Sequence, residues 1–298
     1  MRFRLDILPP LALFALAGTA LFAWLAPRLQ RWFPRVWPRD RDDRQSFLTD
    51  ILYLLSSPVS QVIAAFLTST GIALSAIIIG RRADMSVLSG FGPVMRQPYW
   101  LMLLEAFLLS DLMSYWTHRA AHTVPALWRL HATHHSVEHI RGLSFVRFHP
   151  LEVWELVPNL AVLFLLGFPV DALAPIVPAA QIYAFFIHTR SKIAPRWLAY
   201  VLTFPAYHRW HHAKHIEGNG WNFGGMFPIL DVVFGTYYYP NHEPDALGIE
   251  DNQMPKTFWA QLVYPFRTRQ MLTIESHSER HPERRAAGPR ARAASEPS

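Results

Sequence analysis

The 298-residue chain contains no cysteine, which removes disulfides, thiolate zinc sites and cysteine-held iron–sulfur clusters from consideration. Any metal must then be held by nitrogen and oxygen. Charge is sparse as well: Asp, Glu, Lys and Arg make up only 17% of the residues, half of the composition is hydrophobic, and mean hydropathy is above zero. That balance points to a membrane protein. The net charge of +6 comes mostly from arginines beside apolar stretches and near the C-terminus. Such a pattern suits an anionic cytoplasmic membrane surface at least as well as nucleic acid, and no nucleic-acid partner is expected. No Gly-x-Gly-x-x-Gly follows a strand pattern, so no nicotinamide or flavin domain is built in. The His-Glu-x-x-His motif of zinc hydrolases is missing too.

Long apolar runs are plentiful. Ile7 to Ala26 carries no charge over twenty residues and follows Arg2 and Arg4, which reads as an uncleaved anchor rather than a signal peptide. Arg28 to Arg44 holds six arginines against three aspartates and reads as a cytoplasmic interfacial loop. Ile51 to Gly80 is a second uncharged run, long enough to tilt or to bend at Pro58. A third runs from Pro98 to Trp116, with Tyr115 and Trp116 as expected interfacial anchors. Leu156 to Ile187 reads as a helical hairpin turning near Asp171. The expected organisation is a membrane anchor region over 1–97, a catalytic domain over 98–246 and an extension over 247–298, disordered from 276. The fold class is all-α: a polytopic bundle of about four to five spans, hairpin included, with a cytoplasmic helical cap.

Histidines fall into a repeated spacing. His118 and His122 are four apart; His131, His134 and His135 form an H-x-x-H-H; His188 stands alone; His208, His211 and His212 form a second H-x-x-H-H. Residues three and four apart share a helix face, and neutral imidazole ligates iron, zinc, copper and nickel. These nine are too many for one tetrahedral ion and suit two. Topology is consistent with one site: with loop 28–44 cytoplasmic, the run to residue 80 leaves and 98–116 returns, delivering His118. The hairpin then returns His188 to the same face, where Arg190, Lys192 and Arg196 fit the positive-inside bias.

The segment from about Leu101 to Tyr239 resembles the fatty acid hydroxylase / sterol desaturase superfamily of integral-membrane di-iron enzymes. The stretches that carry the resemblance are Asp111…Tyr-Trp-Thr-His-Arg-Ala-Ala-His122, Leu127-Trp-Arg-Leu-His-Ala-Thr-His-His-Ser136 and Arg147-Phe-His-Pro-Leu-Glu152. His188-Thr-Arg, Pro205-Ala-Tyr-His-Arg-Trp-His-His212, Trp221-Asn-Phe-Gly224 and Asp231-Val-Val-Phe-Gly-Thr236 complete the series. The resemblance implies that His118, His122, His131, His134, His135, His188, His208, His211 and His212 ligate two irons, with zinc a possible substitute. It also implies O₂ as co-substrate and hydroxylation or desaturation of a sterol-like or fatty-acyl lipid at the cytoplasmic face. Electrons would come from a separate donor: a ferredoxin, a cytochrome b5-like protein or a reductase, docked on loop 28–44 or Arg190–Arg196.

Behind the ligands, Asp111 is expected to bond a histidine, since it lies seven residues before His118 on an apolar helix. Glu152 is also expected behind the ligands. His149 reads equally as a residue near the ligands or substrate and as a structural loop histidine. Asn222 and Asp231 either orient ligands or cap helices. Glu105 has no assigned partner. His139, His215 and His242 read as surface histidines, and His277 and His281 lie in the tail. Two other classes compete, a metal transporter and a membrane zinc hydrolase. The first predicts ligands spread through several spans.

Overall fold

The structure is a computed structural model and describes residues 41–78, 80, 89–169, 175–191, 196–214, 220–249 and 254–267. The expected anchor at Ile7–Ala26, most of the arginine-rich loop, the turn at Asp171, His215 and the tail lie outside the described residues. Within them the fold is all-helical, and the only β pairing is an isolated bridge between Ala213 and Leu247.

Helix α1 (Arg41–Ile78) opens ten residues before the apolar run and continues through Pro58. Proline lacks the N–H that would reach the carbonyl of Leu54. The Ser57 hydroxyl donates to that carbonyl instead, at 2.7 Å, and Ser56 serves the Tyr53 carbonyl in the same way. Leu48, Leu52, Leu55, Val59, Val62 and Phe66 recur at intervals of three and four and are all exposed. They form one apolar stripe along the outside of the helix. Its other side is lined by small residues, Ala64, Ala65, Ala73 and Ala76, and Gly71 lets Val157 of the next layer approach closely. Among the described residues, this is the one helix long and apolar enough to cross a membrane.

Helix α2 (Tyr99–Thr123) ends at Val124, whose extended backbone is what the following proline requires. Pro125 then occupies the first turn of α3 (Pro125–His135). The two helices form a tight pair, and the proline junction sets His118 and His122 opposite the three histidines of α3. Two 3₁₀ turns, Gly142–Val146 and Pro150–Glu155, lead into α4 (Leu156–Leu165), and α5 (Ile176–Ile187) returns to His188. At 1.5 Å per residue, helices of ten and twelve residues reach about 15–18 Å, roughly half of a hydrocarbon core. The helical parts of the expected hairpin are therefore short. The remaining helices are α6 (Pro205–His211), α7 (Ile229–Val233) and α8 (Phe258–Val263).

Polar ties fix this frame around the site. Arg147 donates to Asp50 of α1 through Nε at 2.8 Å and through Nη2, while Ser144 donates to the other carboxylate oxygen. Both partners are buried, and removing one member of such a pair costs about 3–5 kcal/mol. Asn159 on α4 donates to the Ser110 carbonyl on α2. Tyr115, expected at the interface, is fully buried and bonds Thr236; Trp116 is the exposed member of the pair.

Candidate metal centre

The histidines come from four helical segments and gather into two groups. His118, His122, His131, His135 and His211 form one; His134, His188, His208 and His212 form the other. Each H-x-x-H-H is thus divided, and the helix explains how. Positions i and i+4 differ by about 40° around the axis, whereas i+3 lies about 60° to the opposite side. On α3, His131 and His135 face the first group and His134 the second. On α6 the assignment is reversed: His208 and His212 face the second group, His211 the first. The doublets His134-His135 and His211-His212 straddle the two groups, so each motif ties both together.

Four of the nine have their Nδ1 fixed by a partner outside the cluster. His118 donates to the Phe223 carbonyl at 3.0 Å, His211 to the Trp221 carbonyl at 2.8 Å and His188 to the Ala184 carbonyl at 2.7 Å. His131 Nδ1 lies 2.5 Å from Glu152 Oε1. The carbonyls of Trp221 and Phe223 flank Asn222, the one non-glycine residue with positive φ (61°) among the described residues. An αL residue turns successive peptide planes, and asparagine is among the residues that tolerate that conformation. Each plane is held from behind. The Asn222 N–H donates to the Thr236 carbonyl, and the Gly224 N–H donates to Asp231 Oδ2.

Metal fits this arrangement. A neutral imidazole has one N–H; where Nδ1 spends it on a carbonyl, Nε2 presents a bare lone pair. In the first group, Nε2 of His131 lies 3.1 Å from Nε2 of both His118 and His135. In the second, His188 Nε2 lies 3.2 Å from that of His134 and 3.1 Å from that of His208, which is 3.1 Å from that of His212. Nitrogens about 2.0–2.1 Å from one ion stand about 2.9–3.4 Å apart, from octahedral to tetrahedral angles. Nε2 of His211, whose proton is committed to Trp221, is buried and meets no donor, and Nε2 of His122 is orphaned likewise. Lone pairs converging without donors call for a cation.

Burial drives all nine pKa values below the usual histidine range, to about 4 for His118 and His188, and at most of the others the charges of neighbouring histidines add to the effect. Ligands are therefore ready in the neutral form at neutral pH. In metal-free protein, unfolded histidines titrate near 6.5 and the folded ones lower, at about 4 for His118 and His188. Between those values the unfolded state binds more protons, so stability falls as pH drops through that window. Denaturation midpoints of metal-free protein in detergent should decrease from pH 7 to pH 5. A flat profile would mean that these imidazoles are not held buried and neutral.

Behind the histidines the structure differs from expectation at Asp111, and at His149 it matches the reading as a structural loop histidine. Asp111 bonds no histidine; its two oxygens accept from the backbone N–H groups of Met226 and Phe227, at 2.9 and 2.8 Å, tying α2 to the 222–227 loop. The loop, not the ligand, satisfies that buried acid. The His149 ring faces away from the cluster: Leu151 N–H donates to its Nδ1, and its Nε2 donates to the Leu262 carbonyl. Glu152 does reach a histidine, His131. Asp231 reaches none directly: it accepts from the N–H groups of Phe223 and Gly224 and the hydroxyls of Tyr207 and Thr236. Asn222 acts through its backbone, while its side chain bonds the Tyr207 and Tyr238 main chain. Glu105 accepts from Gln97, His139 lies outside the cluster, and His242 is exposed.

Sequence reasoning missed the carbonyls of Trp221 and Phe223, since backbone acceptors leave no residue-type signal. It also missed Glu155, whose carboxyl lies within 4.8 Å of the Glu152 and His131 ligand atoms and which burial pushes up to about 8. Arg209, between two ligands, is anchored by Glu243 and by the carbonyls of Thr189 and Ser191, so α6 is locked to the segment after His188.

Fold and site together define an all-helical protein with two histidine groups able to hold metal ions. Residues 103–236 match the family model described as fatty acid hydroxylase. Ornithine lipid hydroxylase OlsE of Rhizobium tropici is 29% identical over 257 residues, which cover 85% of this chain and 74% of that one. Human alkylglycerol monooxygenase is 34% identical over 144 residues, covering 47% of this chain and 31% of its own. The enzyme of the same name from Danio rerio is 29% identical over 189 residues, covering 61% and 40%. The chain thus spans about three quarters of the bacterial relative and well under half of the two vertebrate ones. No solved structure matches.

Proposed function

We propose that this chain is a membrane-bound, O₂-dependent lipid hydroxylase that uses two iron ions held by the nine histidines and electrons from a separate donor. The observation that carries the reading is the division into groups of five and four imidazoles, in which short Nε2–Nε2 spacings and donorless Nε2 atoms call for a cation. Two irons, when bound, supply the O₂ chemistry that removes hydrogen from an unactivated C–H bond. The protein's part is to hold the imidazoles neutral and oriented, through the carbonyls of Ala184, Trp221 and Phe223 and the carboxyl of Glu152. Burial raises the carboxyl pKa values of both Glu152 and Glu155, to about 8 for Glu155.

Hydroxylation is favoured over desaturation by the names of the relatives described above, a hydroxylase and two monooxygenases. Their names also favour a substrate with a polar head and a hydrocarbon chain, and the apolar stripe of α1 supports a bilayer setting in which such a lipid is at hand. The cluster lies at helix ends, as a cytoplasmic cap requires. Ligands gathered there, rather than strung through several spans, favour an enzyme over a transporter.

The test combines metal analysis with lipid mass spectrometry. Purified active protein should carry about two irons per chain. Cells with the gene should contain a lipid heavier by one oxygen that cells without it lack. Active protein carrying zinc and no iron, or an unchanged aerobic lipidome with iron-loaded protein expressed, overturns the proposal.

A further inference from the structure

His134 is almost completely buried, at 3% exposure, yet the ring stacked on it is not: Phe148 lies parallel to the imidazole at 4.5 Å and 15° and is 37% exposed. A partly exposed apolar side chain is thus in direct contact with a histidine of the four-histidine group. Its backbone is fixed. Phe148 N–H donates to the Val146 carbonyl, Arg147 before it is locked to Asp50, and His149 after it bonds through both ring nitrogens.

The surface around it is apolar. His149 bonds the Leu262 carbonyl and packs against Phe266, which brings the end of α8 beside residues 148–151. Leu151, Val263 and Phe266 are all exposed there. Burying them in a bilayer rather than in water is favourable by the ordinary transfer energy of hydrocarbon.

We propose that Phe148 is the residue the hydrocarbon chain of a bilayer lipid meets on its way to the four-histidine group, and that it sets which carbon is presented there. The proposal rests on the lipid-oxygenase reading for its chemistry, but its geometry can be tested apart from activity. Because the chain has no cysteine, Phe148→Cys creates a single attachment point for a nitroxide. In phospholipid vesicles that probe should collide with dissolved O₂ far more often than with a water-soluble paramagnetic chelate, as a probe at Leu55→Cys on the apolar stripe should. Preferential collision with the aqueous chelate overturns the proposal.

The second arm uses Phe148→Ala and Phe148→Trp. Both should keep the wild-type metal content, since Phe148 supplies no ligand atom. The alanine variant should move the oxygenated position along the chain, and the tryptophan variant should lower kcat/KM by about tenfold, the scale of adding or removing small apolar groups in a pocket. Unchanged product position and rate in both, at full metal content, also overturn it. A wild-type protein that oxygenates no lipid counts against the proposed function instead, while the vesicle measurement still decides where Phe148 faces.

Discussion

Replacing His212 by alanine is expected to lower the metal content from two ions per chain to about one and to abolish lipid oxygenation. Its neighbour should behave differently. His212 belongs to the group of four, so its loss leaves three imidazoles; His211 belongs to the group of five, and its loss leaves four. Four nitrogens suffice for a closed site, whereas three leave an open and weaker one. His211→Ala should therefore retain close to two ions while losing activity, because the ligand it removes is the one aimed by the Trp221 carbonyl. The same contrast should appear on α3, with His134→Ala losing an ion and His135→Ala retaining more. Metal analysis after gel filtration, with circular dichroism to confirm that the helices persist, decides the matter. Equal losses from His211→Ala and His212→Ala would mean that the nine histidines do not divide as five and four.

The contrast also marks how far the sequence could be read. Spacing of three and four announces a shared helix face, and that is enough to gather the nine histidines. It does not say that i+3 will serve a different ion from i and i+4, since 40° and 60° offsets matter only once a second helix faces the first. The all-helical class and the run now seen as α1 were legible for a related reason: apolar runs and proline junctions act locally. Asp111 was misjudged because its partners are two backbone N–H groups 115 and 116 residues away, and no residue type advertises those. Glu152 was found because it sits beside the motif in a short 3₁₀ turn, where chain proximity stands in for space. The helices within the expected hairpin, Leu156–Leu165 and Ile176–Ile187, are shorter than an unbroken apolar run suggests. Hydropathy records where charge is absent, not where helix begins and ends.

Asp231→Asn should weaken metal binding by about 10–100-fold, the usual cost of disturbing the groups that orient metal ligands. Asparagine keeps the size and shape of the side chain, so packing barely changes. What changes is the number of acceptors. The carboxylate takes four hydrogen bonds, from the N–H groups of Phe223 and Gly224 and from the hydroxyls of Tyr207 and Thr236. An amide offers one oxygen, so its NH₂ group must face two of those donors. Donors left facing a donor in a buried site cost about 1–3 kcal/mol each, and the loop shifts to relieve them. The Gly224 N–H and the Phe223 carbonyl belong to one planar peptide. A plane that swings to find another acceptor carries the carbonyl away from His118 Nδ1. His118 then loses its fixed orientation although nothing near the ion has been mutated. Gly224→Ala should act on the same plane from the other side, because a Cβ there would meet Asp231 Oδ2 at 2.7 Å. Competition with a chelator of known affinity measures the effect, and wild-type affinity in Asp231→Asn would show that His118 needs no such support. Tyr207→Phe removes only one of the four donors and leaves the peptide plane bonded, so it should retain most of the affinity. That ordering separates a carboxylate that aims a ligand from one that merely fills a polar pocket.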